Sequence, residues 1–379
     1  MMDEQTPDTA AGAYQGPERR QRRERRAGFR GGRRLTDAAR VGTIAAMTAL
    51  AAARGVSAAE PAARAAPSAS SRTGPMRFGI DVDSVKALRN KGVDLSYGTF
   101  WVGSWTGRYG WGEADAQLKL AKNAGITPVV NWWYWGDDIS PRFVEQGGTD
   151  KYHPDIRKDK ATWYKMSQEL ADHIAKTMGD REAIVVIETE FNKGGIETYE
   201  PFDQYLTDVE KIFHQKGNIK VVLGFGNWGA QQWHRFDRAA AEADLVGTQL
   251  LQSSVRDKST YLNAVDTVVA GTKTLHNLFH KPVLLIDFVL SSYPEPTYEA
   301  NQARVVKELF ARLPELKAAG LEGMIWRMLK DDPKFDTANY HGEAERHWGL
   351  VRADGSFKTA YGTFVSGIAE ERAAARPSN

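Results

Sequence analysis

Three groups of residues in this chain are of types that could do chemistry together. The first is Glu188-Thr-Glu190-Phe-Asn192, which follows the aliphatic run Ile184 to Ile187. Such a run reads as a strand buried on both faces. Side chains alternate along a strand, so Glu188 and Glu190 are expected on one side and Thr189 on the other. Carboxylates at the end of a buried strand need a partner or a task. The second group is Asp287, which closes Lys281-Pro-Val-Leu-Leu-Ile-Asp287, and Asp81, which closes Arg77-Phe-Gly-Ile-Asp81. The third is tryptophan. Nine of the eleven (Trp101, Trp105, Trp111, Trp132, Trp133, Trp135, Trp228, Trp233 and Trp326) follow or end apolar runs.

Cleaving a glycosidic bond needs one carboxylic acid to protonate the leaving oxygen. A second carboxylate must attack the anomeric carbon or activate water. Indole faces suit the C–H faces of sugar rings, while sugar hydroxyls need polar partners such as Asn131, Asn192, Asn227 and Gln249. The expected site therefore pairs Glu190 with Asp287 as the reacting carboxyls. Glu188, one residue pair deeper, supports them. Asn131, Asn192, Asp81, Asp137, Trp101, Trp105, Trp133, Trp135, Trp228 and Trp326 are expected around the saccharide. No metal or cofactor is expected: the chain has no cysteine, and its histidines show no ligand spacing.

The elements that must position these groups form a regular series. Apolar runs near residues 77–81, 96–102, 127–135, 183–192, 219–226, 244–251, 281–287 and 321–328 read as strands. Amphipathic helices are expected near 85–91, 112–124, 161–178, 202–214, 233–243, 261–279, 299–319 and 359–375. Gly125, Gly217 and Gly320 fall where helices should end. Eight β–α pairs in about 300 residues, with no Gly-rich phosphate loop, predict an α/β fold. It is a single (β/α)8 TIM barrel over residues 76–375. Strand C-termini would gather at one mouth, which brings the carboxyls of strands four and seven face to face.

Ahead of the barrel, residues 1–58 carry eleven Arg against six acids, whereas the whole chain is only +2. The remainder is therefore −3, which gives no reason to expect nucleic acid as a partner. Arg33-Arg34 precedes an apolar run, Val41 to Ala53, and then Val56-Ser-Ala58. That order reads as an export signal, cleaved after Ala58 or kept as an anchor, with residues 59–75 a flexible linker. Thirteen weakly apolar residues are too few for a membrane span, and none is expected in the mature domain. The expected partner is a polysaccharide or oligosaccharide, met in the periplasm or outside the cell.

These motifs resemble the clan of retaining (β/α)8 glycosidases. Within it, Glu190-Phe-Asn192, Val129-Val-Asn-Trp-Trp-Tyr-Trp135, Lys281-Pro-Val-Leu-Leu-Ile-Asp287 and Trp326 look like segments of family 26 glycoside hydrolases, the β-mannanase family, and the ending Trp348-Gly-Leu-Val-Arg-Ala-Asp-Gly looks like the tail of many such barrels. The resemblance implies Glu190 as acid/base and Asp287 as nucleophile in hydrolysis of a β-linked polysaccharide. The chain departs from that pattern in having Thr189 where the family has His and Asp287 where it has Glu. It also has no Tyr at the end of strand six. A non-catalytic carbohydrate-binding barrel is the alternative. Gly79-Ile-Asp-Val82 with Glu188-Thr-Glu190 also resembles family 25 lysozymes, which implies a muramidase-like reading.

Overall fold

The computed structural model describes residues 75–104, 106–134, 156–192, 196–227, 230–252, 263–294, 297–335 and 342–375. The leader 1–58 and nearly all of the linker lie outside the described residues, as do Trp105, Trp135, Asp137 and Trp228. By backbone contacts the chain divides into a unit of Met1–Arg72 and a unit of Thr73–Asn379. All the described residues belong to the second.

Eight parallel strands close into a barrel in chain order. They are β1 (Arg77–Asp81), β2 (Tyr97–Gly103), β3 (Thr127–Trp133), β4 (Ala183–Ile187), β5 (Ile219–Gly224), β6 (Leu245–Gln252), β7 (Val283–Leu290) and β8 (Leu321–Trp326). The helix following each strand is, in order, α1 (Val82–Arg89), α2 (Gly112–Ala124), α3 (Ile156–Met178), α4 (Phe202–His214), α5 (Asp237–Glu242), α6 (Ala264–Phe279), α7 (Thr297–Ala311) and α8 (Thr359–Ala374). The chain is thus a TIM barrel.

Period-two alternation sorts the strand residues into two apolar layers. Tyr97, Val129, Ile184, Val186, Ile286 and Ile325 pack inside the barrel. Phe78, Val130, Trp132, Ile187, Phe288 and Trp326 face outward under the helices. The helices cover that layer with their apolar faces. On α4, Phe202, Leu206, Val209 and Phe213 recur at helical spacing and are completely buried. Each contributes about 1.5–3 kcal/mol by leaving water. The inside is tight: a side chain added at Gly323 would come within 2.7 Å of the Tyr97 ring.

Several expected boundaries shift by a few residues, and three of the shifts are informative. The single helix expected at 299–319 is α7 followed by a short helix, Leu313–Ala318, with Pro314 in its first turn where a proline is tolerated. β7 does not end at Asp287 but runs on to Leu290. β4 ends at Ile187, before either glutamate.

Candidate active site

The site begins where β4 stops. Glu188 and Glu190 both adopt left-handed backbone angles, φ 49° and 63°. Such angles cost a non-glycine residue roughly 1–3 kcal/mol each. Backbone bonds from Glu188 N to Trp132 O (2.9 Å) and from Glu190 N to Gly224 O (3.0 Å) hold this turn between its neighbouring strands. Gly224 leaves the space for it, since a side chain there would come within 3.1 Å of Thr189 Cα. The turn cancels the strand alternation expected for Glu188-Thr-Glu190. Glu188 is wholly buried and its Oε1 accepts from the Tyr134 backbone N–H at 2.8 Å. Thr189 donates to Asn131 Oδ1 at 3.3 Å, and Glu190 is half-buried and accepts from the Gln249 side-chain amide. The two glutamates therefore do not share a face as a strand pair.

Asp287 owes its direction to a bulge. Thr248 pairs with Leu285 and Gln249 with Asp287, which leaves Ile286 as an extra residue on β7. Ile286 points into the barrel, and register then places Phe288 outward opposite Leu250. Asp287 thus lies beside inward-facing Gln249, 2% exposed. Its Oδ2 accepts from Arg327 Nη1 at 2.6 Å, while Oδ1 is buried and has no hydrogen-bond partner among the described residues. Burial pushes the Asp287 carboxyl up to about 6; Glu190 adds to the rise and Arg327 opposes it.

Strands two and three supply the adjoining wall. Trp101 lies opposite Asn131 in the ladder and Gly103 opposite Trp133, all on the inward face. The Trp101 and Trp133 rings meet edge to face, centroids 5.6 Å apart. Asn131 is buried and donates to Thr99 Oγ1 at 2.8 Å.

Other expected residues serve the scaffold. Asp81 accepts from Ser84 N (3.0 Å) as the cap of α1 and from Leu329 N (2.6 Å), so both carboxylate oxygens are held by backbone N–H groups. Asn192 clips Gly226, accepting from its N–H at 2.6 Å and donating to its carbonyl at 3.2 Å. Trp326 is a correction in register. It is completely buried in the outer layer against Phe288, and the next residue, Arg327, takes the inward direction. Trp132 and Trp233 are likewise buried in the outer layer, and Trp111 stacks on His173. The tryptophan cluster at the mouth is accordingly smaller than the spacing suggests.

Two residues missed by the sequence reading complete the site. The Arg327 guanidinium lies 4.8 Å from the Trp101 ring centroid and 5.2 Å from that of Trp348. Trp348 is fixed from below: Lys358, with a fully buried side chain, donates to Asp331 (2.8 Å) and Ser292 Oγ (2.7 Å), and Asp331 accepts from Gly349 N at 2.8 Å. Strict alternation from inward Ile325 would have revealed Arg327. Trp348, distant in sequence from any strand, gives no such signal. Among the described residues no group of three or more His, Asp or Glu is placed to hold a metal, and no helix is long and apolar enough to cross a membrane.

No protein-family model matches the chain, and no curated protein shows significant similarity to it. Its barrel is similar to solved structures of glycoside hydrolases. A GH5_18 protein from Bifidobacterium longum subsp. longum, solved with Manb1-4GlcNAc, has a TM-score of 0.56 at 13% identity, covering 79% of each chain. A fungal β-1,4-galactanase gives 0.52 at 13% identity, over 76% of this chain and 99% of the other. An endo-1,4-β-D-mannanase from Thermotoga petrophila RKU-1 gives 0.54 at 13% identity, over 78% and 99%. At such identities the likeness is one of fold, and the family 26 likeness stays a resemblance of motifs.

Proposed function

We propose that this chain is a glycoside hydrolase acting on a β-linked polysaccharide, with Glu190 as proton donor and Asp287 as the second carboxylate. The observation that carries this reading is the coupling of the two groups. Gln249 pairs with Asp287 through the β6–β7 ladder and donates its side-chain amide to Glu190, while the Glu190 charge raises the Asp287 pKa. Both carboxyls therefore act on one place at the barrel mouth, as a two-carboxylate reaction requires.

Gln249 donates to Glu190 Oε1, and Glu190 gives its proton to the leaving oxygen. Asp287, held by Arg327 through Oδ2, attacks the anomeric carbon through Oδ1, which must leave its buried position to do so. In the retaining form this yields a glycosyl ester, and water then attacks the same carbon as Glu190 takes back the proton. In the inverting form Asp287 activates water instead. Trp101 and Trp133 offer ring faces and edges to the sugar, and Asn131 with Thr189 offers polar contacts. The neighbour solved with Manb1-4GlcNAc supports a saccharide in a mouth of this fold.

The muramidase-like reading would use Asp81 with Glu188 and Glu190 and gives Asp287 no role; Asp81 caps a helix and Glu188 is buried on Tyr134. A binding-only barrel is favoured by one observation, the engagement of Asp287 by Arg327. Release of new reducing ends from a polysaccharide panel separates the two. The hydrolase reading requires release by wild type and its loss in Glu190→Gln and Asp287→Asn; binding without release sinks it. Export through the basic leader is part of the proposal. N-terminal sequencing of protein recovered outside the cytoplasm should begin after Ala58, or show the leader retained as an anchor.

A further inference from the structure

Arg327 has a setting that holding Asp287 alone does not require. The guanidinium is flanked by two indoles, Trp101 at 4.8 Å and Trp348 at 5.2 Å to the ring centroids. An arginine packed against aromatic rings still has its N–H donors as the route to polar partners. One of the five goes to Asp287 Oδ2, and the guanidinium makes no other hydrogen bond among the described residues. The side chain is 19% exposed whereas that of Asp287 is 3% exposed, so the arginine meets solvent where the aspartate does not.

A neutral sugar ring needs flat apolar surface and mixed donors and acceptors. A fixed, donor-only cation with a planar fork instead matches a carboxylate, which it can bind through two parallel N–H···O bonds. We propose that Arg327 binds a carboxylate of the saccharide, and that the substrate class is therefore an acidic polysaccharide with a uronic acid beside the scissile bond. This rests on the hydrolase reading above and narrows it to a substrate class. Charge balance agrees: Glu190 and Asp287 would repel an anionic sugar, and Arg327 is the guanidinium that faces Asp287 across the β7–β8 edge.

The test uses tetrasaccharides in pairs that differ only at C6: mannotetraose with tetramannuronate, and cellotetraose with tetraglucuronate. Their binding is followed by tryptophan fluorescence and calorimetry. Wild type should bind one uronate at least tenfold more tightly than its neutral partner. Arg327→Lys keeps a charge beside Asp287 but lacks the fork, and should bring that preference to within about twofold while circular dichroism stays unchanged. Arg327→Met should do the same. Equal or tighter binding of the neutral partner, survival of the preference in both variants, or binding of neither member would overturn the inference. A wild type that cleaves a neutral glycan without uronate preference removes this inference and leaves the hydrolase reading. Uronate preference in a protein that cleaves nothing does the reverse.

Discussion

Gln249 and Asp287 are partners in the β6–β7 ladder, and the Gln249 side chain reaches past that ladder to Glu190, held at the end of β4. One residue therefore stands next to two carboxyls that are 97 positions apart in the chain. The bulge at Ile286 sets this pairing; without the extra residue Asp287 would point outward into the layer now filled by Phe288.

Asp287 should leave a mark on stability as well as on rate. Its folded pKa of about 6 exceeds the usual 3.8, so the folded state holds the proton over a range where the unfolded chain has released it. Stability therefore falls as pH rises from about 4 to about 6 and is flat above, a loss of about 3 kcal/mol from this one group. Asp287→Asn should abolish that slope and be no less stable than wild type at pH 8, as measured by urea unfolding at pH 5 and pH 8.

The same carboxyl must be ionised to attack carbon or water. The rate kcat/KM should decline on the acid side with an apparent pKa near 6, since the free protein protonates Asp287 there. A profile still rising from pH 6 down to pH 4 would remove Asp287 from the reaction.

Glu210 makes a second pH prediction, away from the mouth. It lies on the buried face of α4 with both carboxylate oxygens unpartnered among the described residues. Burial, followed by the charges of Glu242 and Asp203, raises its pKa well above the usual carboxylate range, and Lys281 opposes the rise. The neutral form is thus the folded form, and stability falls as pH climbs through that raised value. Glu210→Gln should raise the thermal midpoint at pH 8 and change it little at pH 4.5; an unchanged midpoint at both would count against a buried neutral carboxyl.

Lys358 and Asp331 form a buried pair with side chains 0% and 5% exposed. Lys358→Met strands the Asp331 charge and should cost about 3–5 kcal/mol. Because the pair fixes the segment bearing Trp348, which is buried, the variant should also red-shift tryptophan emission before global unfolding. Replacing both residues, Lys358→Met with Asp331→Leu, should recover much of the loss.

Asp81 separates scaffold from site. If its task is to cap α1 and hold Leu329, Asp81→Ala should lower stability by about 1–2 kcal/mol while leaving turnover per folded molecule within about twofold. A hundredfold drop in turnover without loss of stability would return Asp81 to the mouth.

Much of the frame was legible because repetition signals it. The α4 and α2 ranges were readable to the residue, since apolar spacing and flanking residues agree. What was not legible turns on single-residue shifts. Trp326 and Arg327 exchange inside for outside by one position, and composition favoured the tryptophan. The turn at Glu188–Glu190 uses left-handed angles at residues that rarely adopt them, so no local signal announced the end of β4. Asp287 was found as a carboxyl after an apolar run, but the bulge that aims it depends on pairing with β6, which only the closed sheet provides.

The measurement that bears most directly on the account is the turnover of Glu190→Gln beside its affinity for the same saccharide. The substitution keeps size and the capacity to meet Gln249 but cannot give up a proton as a carboxylic acid does. Loss of the proton donor should lower kcat by about 10²–10⁴-fold with the dissociation constant within a few-fold of wild type. Turnover equal to wild type, with saccharide bound as before, would contradict it.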